Sequence, residues 1–518
     1  MDKMKDELRL IIAFVLSILI IIFFGKFTSQ KQPVKTQQQI IENTTNEEKT
    51  SENEKITETK LPSEIGKIEK KLSAYENNNF IIKINENGGF IDLIGLKKYH
   101  RDDEKYFPII ENNYLFLTFQ QGKLEAIEKL WNIEEKENNI TLWTNIDKLY
   151  IEKDITIPTN SHTFEVEIKI KNNSNEKQEV DDLIINLLSL NKNEIKKSQN
   201  YNRYLRTELL IGSNNNIIKR NITKVKGKET FENCNFIALQ SEYALLLYRT
   251  EKPMDAFISN EENIFTAGFI VNKLPIEKNE EKILKFNFYA GPYDYFIASK
   301  EVKENIFGNG FFVLMGRFLF AALYNIHKII PNWGWAIILL TLIIKIVFFP
   351  LTRNSLRSMK QIQKLRPYLQ DLQKKYKNDP QKMQKEMFNL YREYKINPFG
   401  GCIPMLIQFP IFIGFFIALR NSIFLRGAPF MLWIKDLSVP DTILRVGHFP
   451  LNILPVLMTL TAFWQQKLTP SDPSQKALTI MMPLMFLFLF YNFSSGLLLY
   501  WVTMNIMGIV EQYLIRTK

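Results

Sequence analysis

Apolar residues are distributed along this chain in two very different ways. A predominantly apolar stretch runs from Leu8 to Phe24, and five more fill the last two hundred residues: Trp333–Leu351, Cys402–Leu419, Leu451–Gln465, Ala477–Phe493 and Gly496–Ile515. Stretches of this kind predict membrane-spanning helices, six in all. Between the first and second of them the pattern is different. Phe164-Glu165-Val166-Glu167-Ile168-Lys169-Ile170 alternates with period two, and Phe80–Asn85 and Tyr114–Phe119 also read as strands. Asn87-Gly88-Gly89 and Asn172-Asn173-Ser174-Asn175 punctuate them as turns. Many short strands at this spacing predict a large all-β sandwich. The predicted fold class is therefore a polytopic α-helical membrane protein carrying a large extracytoplasmic β-sandwich.

The boundaries follow from shifts in composition. Residues 1–27 read as an uncleaved signal anchor, because the chain continues Gly25-Lys26-Phe27-Thr28 without a small-residue cleavage site. Residues 28–78, rich in Gln, Asn, Thr, Glu and Lys, read as a flexible polar linker. Residues 79–300 form the β-sandwich, 301–332 an amphipathic interfacial region, and 333–518 a five-helix core. In the interfacial region Phe311, Leu314, Phe318 and Ala322 share a stripe, as in a helix lying on the membrane surface. The alternative is a lead-in to the next span. The stretch Leu451–Gln465 reaches only roughly 22 Å against roughly 30 Å of hydrocarbon, so local thinning of the bilayer is expected there.

Charge orients the chain. The net charge is +11, and Arg353–Lys395 alone holds twelve basic residues against four acids, a net +8. A basic segment between two apolar runs marks the cytoplasmic side. Both termini then lie inside, and residues 28–332 outside. Within 353–398 the apolar positions Ile362, Leu365, Leu369, Leu372 and Tyr376, then Met383, Met387, Leu390 and Tyr394, step by three and four. They predict a helical hairpin whose second helix starts at an Asp379 cap with Pro380 following. Its outer basic residues (Arg353, Arg357, Lys360, Lys364, Lys374, Lys375, Lys377) suit docking to an acidic partner such as ribosomal RNA or a nascent chain. As a topology determinant the same residues would meet anionic lipid instead.

Candidate chemistry is sparse. Cys234 and Cys402 lie far apart, the four histidines are scattered, and no GxxxxGK[ST] loop occurs. No metal site, cofactor or catalytic residue is expected. The exception is Lys345, an ionisable residue inside Trp333–Leu351, which costs about 2.5–3.5 kcal/mol at such depth and so marks a role. With no acid assigned to the other spans, a buried ion pair is not expected, and a hydrated groove is. Snorkelling to the nearby cytoplasmic end is the alternative. Thr341, one turn earlier, Gln408, and the stripe Trp501, Asn505, Gly508, Gln512 would line that groove. Interhelical hydrogen bonding explains Asn505 equally well. Met481, Met482, Met485, Met504 and Met507 offer either an adaptable surface or ordinary filler.

Several ordered motifs now converge. They are Asn332-Trp333-Gly334, Pro350-Leu351-Thr352, Lys395-Ile396-Asn397-Pro398-Phe399-Gly400-Gly401-Cys402-Ile403-Pro404, Ala428-Pro429-Phe430 with Leu432-Trp433-Ile434, Asp436-Leu437-Ser438, and Ser495-Gly496-Leu497 with Leu499-Tyr500-Trp501. From about Asn332 to Gln512 the chain resembles the YidC membrane protein insertase family. The resemblance implies five core helices around a hydrophilic groove open to cytoplasm and lipid, with Lys345 as its central cation and Thr341 as the groove threonine. It implies that Cys402–Leu419 and Ala477–Phe493 contact substrate and that the β-sandwich is periplasmic, in a bacterial inner membrane. The implied function is non-enzymatic: inserting and helping to fold membrane proteins. The implied partners are nascent membrane-protein clients, the ribosome, the Sec translocon and the lipid bilayer, with no small-molecule substrate. Two departures stand out: Lys345 replaces the family's usual Arg, and Ser494 its usual Pro. Other classes are weaker. A secondary transporter using Lys345 as substrate or proton site calls for paired internal repeats, which the sequence lacks. A sugar-acting β-domain calls for a catalytic constellation, and none stands out.

Overall fold

A computed structural model describes residues 71–516, apart from 101–103, 116–129, 192–207, 214–215, 262–263, 377–378, 395–402, 421, 448 and 469–475. The predicted anchor Leu8–Phe24, most of the linker, Lys377, Cys402 and the Lys395–Cys402 motif lie outside the described residues.

From Leu72 to Pro292 the chain is antiparallel β, in a four-stranded sheet and an eleven-stranded sheet. Both contribute to one apolar core, with Phe80, Ile82 and Ile94 from the smaller sheet and Ile140, Phe164 and Phe265 from the larger. The predicted strands Phe80–Asn85 and Phe164–Ile170 are present as Phe80–Asn85 and Thr163–Asn172. Of the predicted Tyr114–Phe119 only Tyr114 and Leu115 are described, as the end of a strand Phe107–Leu115, and the rest lies outside the described residues. Alternation is clean in Leu149–Thr156, whose inward positions are Leu149, Ile151, Lys153 and Ile155.

Lys153 is the exception in that row. It is 1% exposed, its Nζ donates to the Gly89 carbonyl at 2.9 Å, and it lies 4.0 Å from the Trp131 ring centroid. Burial pushes its ammonium down to about 7. Between that value and the ordinary lysine range the unfolded chain binds the extra proton, so stability rises with pH from about 7 to about 10.5, by roughly 1.4 kcal/mol per unit. Lys153→Met is expected to remove this slope. Chemical-denaturation midpoints of wild type and variant, measured from pH 7.5 to 9, should therefore converge; parallel curves would show that Lys153 is already charged in the fold.

After the β-domain, a helical turn at Tyr295–Ala298 and the segment to Ile306 pack back on its strands, with Ala298, Val302 and Ile306 buried. Arg249 pairs with Glu304 at 2.6 Å, and Thr163 donates to Glu301 at 2.7 Å. The helices that follow are α1 (Phe311–Ile329), α2 (Trp333–Lys364), α3 (Arg366–Lys375), α4 (Pro380–Glu393), α5 (Ile403–Arg420), α6 (Leu454–Leu468), α7 (Lys476–Phe490) and α8 (Ser495–Arg516). Among the described residues three helices are long and apolar enough to cross a membrane: α1, α2 and the Ser495–Ile515 part of α8. Two shorter apolar helices cover Gln408–Arg420 and Met481–Phe490. The helix placed on the membrane surface by its stripe thus meets the criterion for a span. Its predicted stripe does face outward, with Phe311, Leu314 and Phe318 exposed. The opposite face, Gly316, Leu319, Phe320 and Leu323, is buried and just as apolar, which sequence periodicity did not resolve. Arg317 is drawn out of this apolar surface, donating to the Gly308 carbonyl at 2.7 Å and lying 3.7 Å from the Tyr295 ring centroid.

Two motifs meet at the start of α2. Asn332 caps it by accepting from Trp335 N at 3.1 Å, and the same side chain donates to the Phe430 carbonyl at 3.2 Å. Gly334 leaves room for the Phe430 ring: a Cβ there would lie 2.0 Å from a ring carbon. Gly334→Ala is expected to cost about 1–3 kcal/mol through overpacking. A lowered melting temperature in detergent is the expected readout, and an unchanged one would show that the Phe430 ring can move aside.

The basic hairpin differs from expectation at its first helix. α2 runs unbroken through Pro350 to Lys364, so the hairpin's first turns continue a spanning helix. The break falls where Pro367 removes a backbone donor, at the Leu365–Arg366 step. α4 begins as predicted, with the Asp379 carboxylate accepting from Lys382 N at 3.0 Å and Pro380 following. Leu365 and Leu369 pack with Ile362, Met387, Leu390 and Tyr391, which forms the seam.

Candidate functional site

α2 and α8 pack side by side, and Lys345 projects from α2 toward the last turns of α8. Its Nζ lies 3.2 Å from Oε2 of Glu511, with the two side chains only 16% and 8% exposed. The expectation of a groove cation without an acidic partner is therefore wrong. Glu511 falls inside the predicted span Gly496–Ile515, and the rule that singled out Lys345 applies to it equally. The stripe chosen from Trp501 to Gln512 follows an adjacent face of the same helix and passes it by. Two opposite charges on facing helices satisfy each other where neither could remain alone, since an unpaired buried charge costs several kcal/mol.

The other candidate groove residues do not gather around Lys345. Thr341 is fully buried and its hydroxyl donates to the Ile337 carbonyl at 2.7 Å, within its own helix. Gln408 donates from Nε2 to the Tyr500 hydroxyl at 2.6 Å, and Tyr500 stacks on Phe415 with centroids 4.2 Å apart. Tyr500 and Glu511 are eleven residues apart, about 16 Å along the helix axis. Asn505 donates to the Met458 carbonyl at 3.2 Å and to Thr461 Oγ1 at 3.1 Å, so it joins α8 to α6. The interhelical alternative is the one realised for Asn505. Trp501 sits among Phe412, Phe486 and Phe490, with centroids 4.7–5.4 Å away.

Of the basic hairpin residues, Lys360 turns inward: its Nζ donates to the Ile515 carbonyl at 3.0 Å. A cation at the C-terminal carbonyls of α8 satisfies both a free acceptor and the helix dipole. Arg353, Arg357 and Lys364 line the extension of α2, and Lys374 and Lys375 end α3. Among the described residues no group of three His, Cys, Asp or Glu side chains is placed to hold a metal.

At the opposite end of the bundle the segment 423–441 closes over the helix starts. Leu425, Ile434 and Leu437 are buried there. The Ser495 and Gly496 amides donate to the Val439 and Leu437 carbonyls at 2.8 and 2.9 Å. Asp441 Oδ2 accepts from Trp433 Nε1 and from the Ile453 and Leu454 amides at 2.7–3.1 Å, capping α6. The same segment grips the β-domain. Arg426 makes a two-pronged contact with Glu104 at 2.7 and 2.8 Å and donates to the Tyr99 carbonyl at 3.0 Å. Tyr99 meets Phe424 edge to face, and Phe424 packs on Phe320 and Trp333. No motif in the sequence announced Arg426.

Known protein families match both parts of the chain. The "60Kd inner membrane protein" family pattern matches residues 325–518, and the "YidC periplasmic domain" pattern matches residues 74–321. The membrane protein insertase YidC of Campylobacter jejuni is 30% identical over 99% of this chain and 97% of its own length. That of Endomicrobium trichonymphae is 39% identical over 57% of this chain, a match spanning 58% of the relative. A crystal structure of an active YidC insertase with its first transmembrane domain resolved aligns over 86% of this chain and 93% of its own, at 20% identity and TM-score 0.39. YidC from Thermotoga maritima aligns over 85% and 98%, at 16% identity and TM-score 0.32. With both halves of the chain matched in order, and one relative matched along nearly its whole length, this chain belongs to the YidC family of membrane protein insertases.

Proposed function

We infer that the chain takes apolar segments of other membrane proteins from the cytoplasm and passes them into the bilayer, with the Lys345–Glu511 pair as the receiving point. The observation that carries this reading is a little-exposed pair of opposite charges bridging two helices of a bundle whose core is mainly apolar. An arriving acidic flank exchanges with Glu511 at the Lys345 ammonium, one carboxylate for another. Lys345 is then never left buried alone, which keeps the barrier low. The client's apolar stretch meanwhile spreads over exposed apolar side chains such as Phe409 and Phe488 and partitions into lipid. The six-span topology belongs to this proposal, with both termini cytoplasmic, residues 28–332 in the periplasm and α1 lying along the outer membrane surface rather than crossing it. So does the basic hairpin as the cytoplasmic docking point for a ribosome or nascent chain, drawn to it by charge.

The experiment is integration of a short single-spanning client with an acidic flank by proteoliposomes that contain this protein alone. Protease-protected client well above that of empty liposomes supports the proposal. Protection no higher than in empty liposomes, with folded protein present, overturns it.

A further inference from the structure

Between the closing segment and α6 the chain forms a small antiparallel hairpin, Thr442–Val446 with Phe449–Asn452. Its apolar side chains point outward: Ile443, Leu444, Val446, Phe449 and Leu451 are each 44–65% exposed. No acid occurs between Thr442 and Asn452, and Arg445 is the one fully cationic side chain there. A two-stranded hairpin is marginal in water even without such a surface.

Its base is tied to the ends of two short helices. Asn452 Nδ2 donates to the Tyr491 carbonyl at 2.8 Å, the Tyr491 hydroxyl donates to the Pro450 carbonyl at 2.7 Å, and Phe449 packs on the Tyr491 ring. α7 ends at Phe490 and α6 begins at Leu454, and each is 15 residues long. Fifteen residues rise roughly 22 Å, short of the roughly 30 Å of hydrocarbon. The outward side chains Val456 and Leu460 of α6 and Phe488 and Leu489 of α7 are exposed as well, so the hairpin prolongs a surface already suited to acyl chains.

We propose that the hairpin Thr442–Asn452 is immersed in the outer leaflet, at the boundary of headgroups and acyl chains, and completes the apolar height that α6 and α7 lack. The depth follows from the backbone. An open hairpin leaves edge amides and carbonyls that hydrocarbon cannot satisfy, whereas the boundary still supplies water to them. Arg445, one pair back from the turn, reaches headgroup phosphates from there. Bilayer thinning around α6 is then unnecessary on the outer side. The inference does not depend on the insertion of clients.

The test uses the wild-type chain in liposomes with photoreactive phospholipids, carrying the reactive group either near the headgroup or at the acyl-chain end. Digestion and mass spectrometry locate the adducts. Expected is labelling of Ile443–Leu451 by the headgroup-proximal probe, several-fold above the chain-end probe, with Phe488 and Leu489 labelled as the lipid-facing control. A hairpin left unlabelled while the control is labelled overturns the proposal. So does equal labelling by both probes, which puts the hairpin in the hydrocarbon core. Cross-linking of the hairpin mainly to protein would make a second copy its occupant instead. Leu444→Ser with Val446→Ser should lower the hairpin's labelling several-fold while leaving α7 unchanged.

Discussion

Replacing Lys345 with Met is expected to destabilise the helical core by about 3–5 kcal/mol, because it strands the Glu511 carboxylate in a buried site. The two side chains sit 3.2 Å apart with little exposure, so solvent screens neither. Loss of folded protein would confound any activity measurement on this variant alone. The double variant Lys345→Met, Glu511→Met removes both charges and should recover most of the stability, since a hydrophobic pair of similar volume leaves no buried charge or amide without a partner. If Lys345 receives the client's acidic flank, the double variant should still integrate such clients at least tenfold less than wild type. A tenfold loss corresponds to about 1.4 kcal/mol of lost interaction. Glu511→Gln alone leaves the Lys345 ammonium without its partner and should also lose stability. Per folded molecule it keeps the cation and should insert the same clients as well as or better than wild type. Melting temperature in detergent and protease-protected client are the two readouts. A stable double variant with wild-type insertion would reduce the pair to a structural element and end the exchange mechanism.

Arg426→Ala should have the next largest effect. The Arg426 side chain is 8% exposed and Glu104 28%, and together with the Tyr99 carbonyl they make three hydrogen bonds between core and β-domain. Truncating one partner of such a pair costs about 2–5 kcal/mol, and the partial exposure of Glu104 favours the low end. The aromatic contacts Tyr99–Phe424 and Phe424–Trp333 remain, so the domains should loosen without unfolding. Limited proteolysis should then cut near residues 99–107 at a protease concentration that leaves wild type intact. Arg426→Lys should recover little, because a lysine offers no planar fork for two-pronged pairing. Unchanged proteolysis in Arg426→Ala would mean that the aromatic contacts alone hold the domain.

Much of this protein is written in short-range patterns. Period-two alternation marked Thr163–Asn172, and the Asp379-Pro380 cap marked the start of α4, because both depend only on neighbours in the chain. The ordered motifs from Asn332 to Trp501 marked the family by their residues and order alone, although the contact that Gly334 makes with Phe430 joins distant segments. Other features were illegible for equally physical reasons. The apolar run of the sequence ends at Leu351, yet α2 runs on to Lys364. Helix propagation costs little once a long segment is nucleated, and packing against α8 holds the extension in place.

The groove residues show the division most clearly. Sequence alone determined that a charge lies deep in an apolar helix at Lys345 and that such a charge needs a partner or water. Which of these it has depends on the facing helix, 166 residues away in the chain, and only the tertiary structure brings Glu511 to it. Likewise composition marked Asn505 and Gln408 as polar groups that must be satisfied. Their partners, Met458 and Thr461 on one side and Tyr500 on the other, were settled by how α5, α6 and α8 pack. A residue's own chemistry sets what its environment must supply. Hydrogen bonds and ion pairs reach only about 3 Å, so the side chain that supplies it is decided by the packing of distant segments.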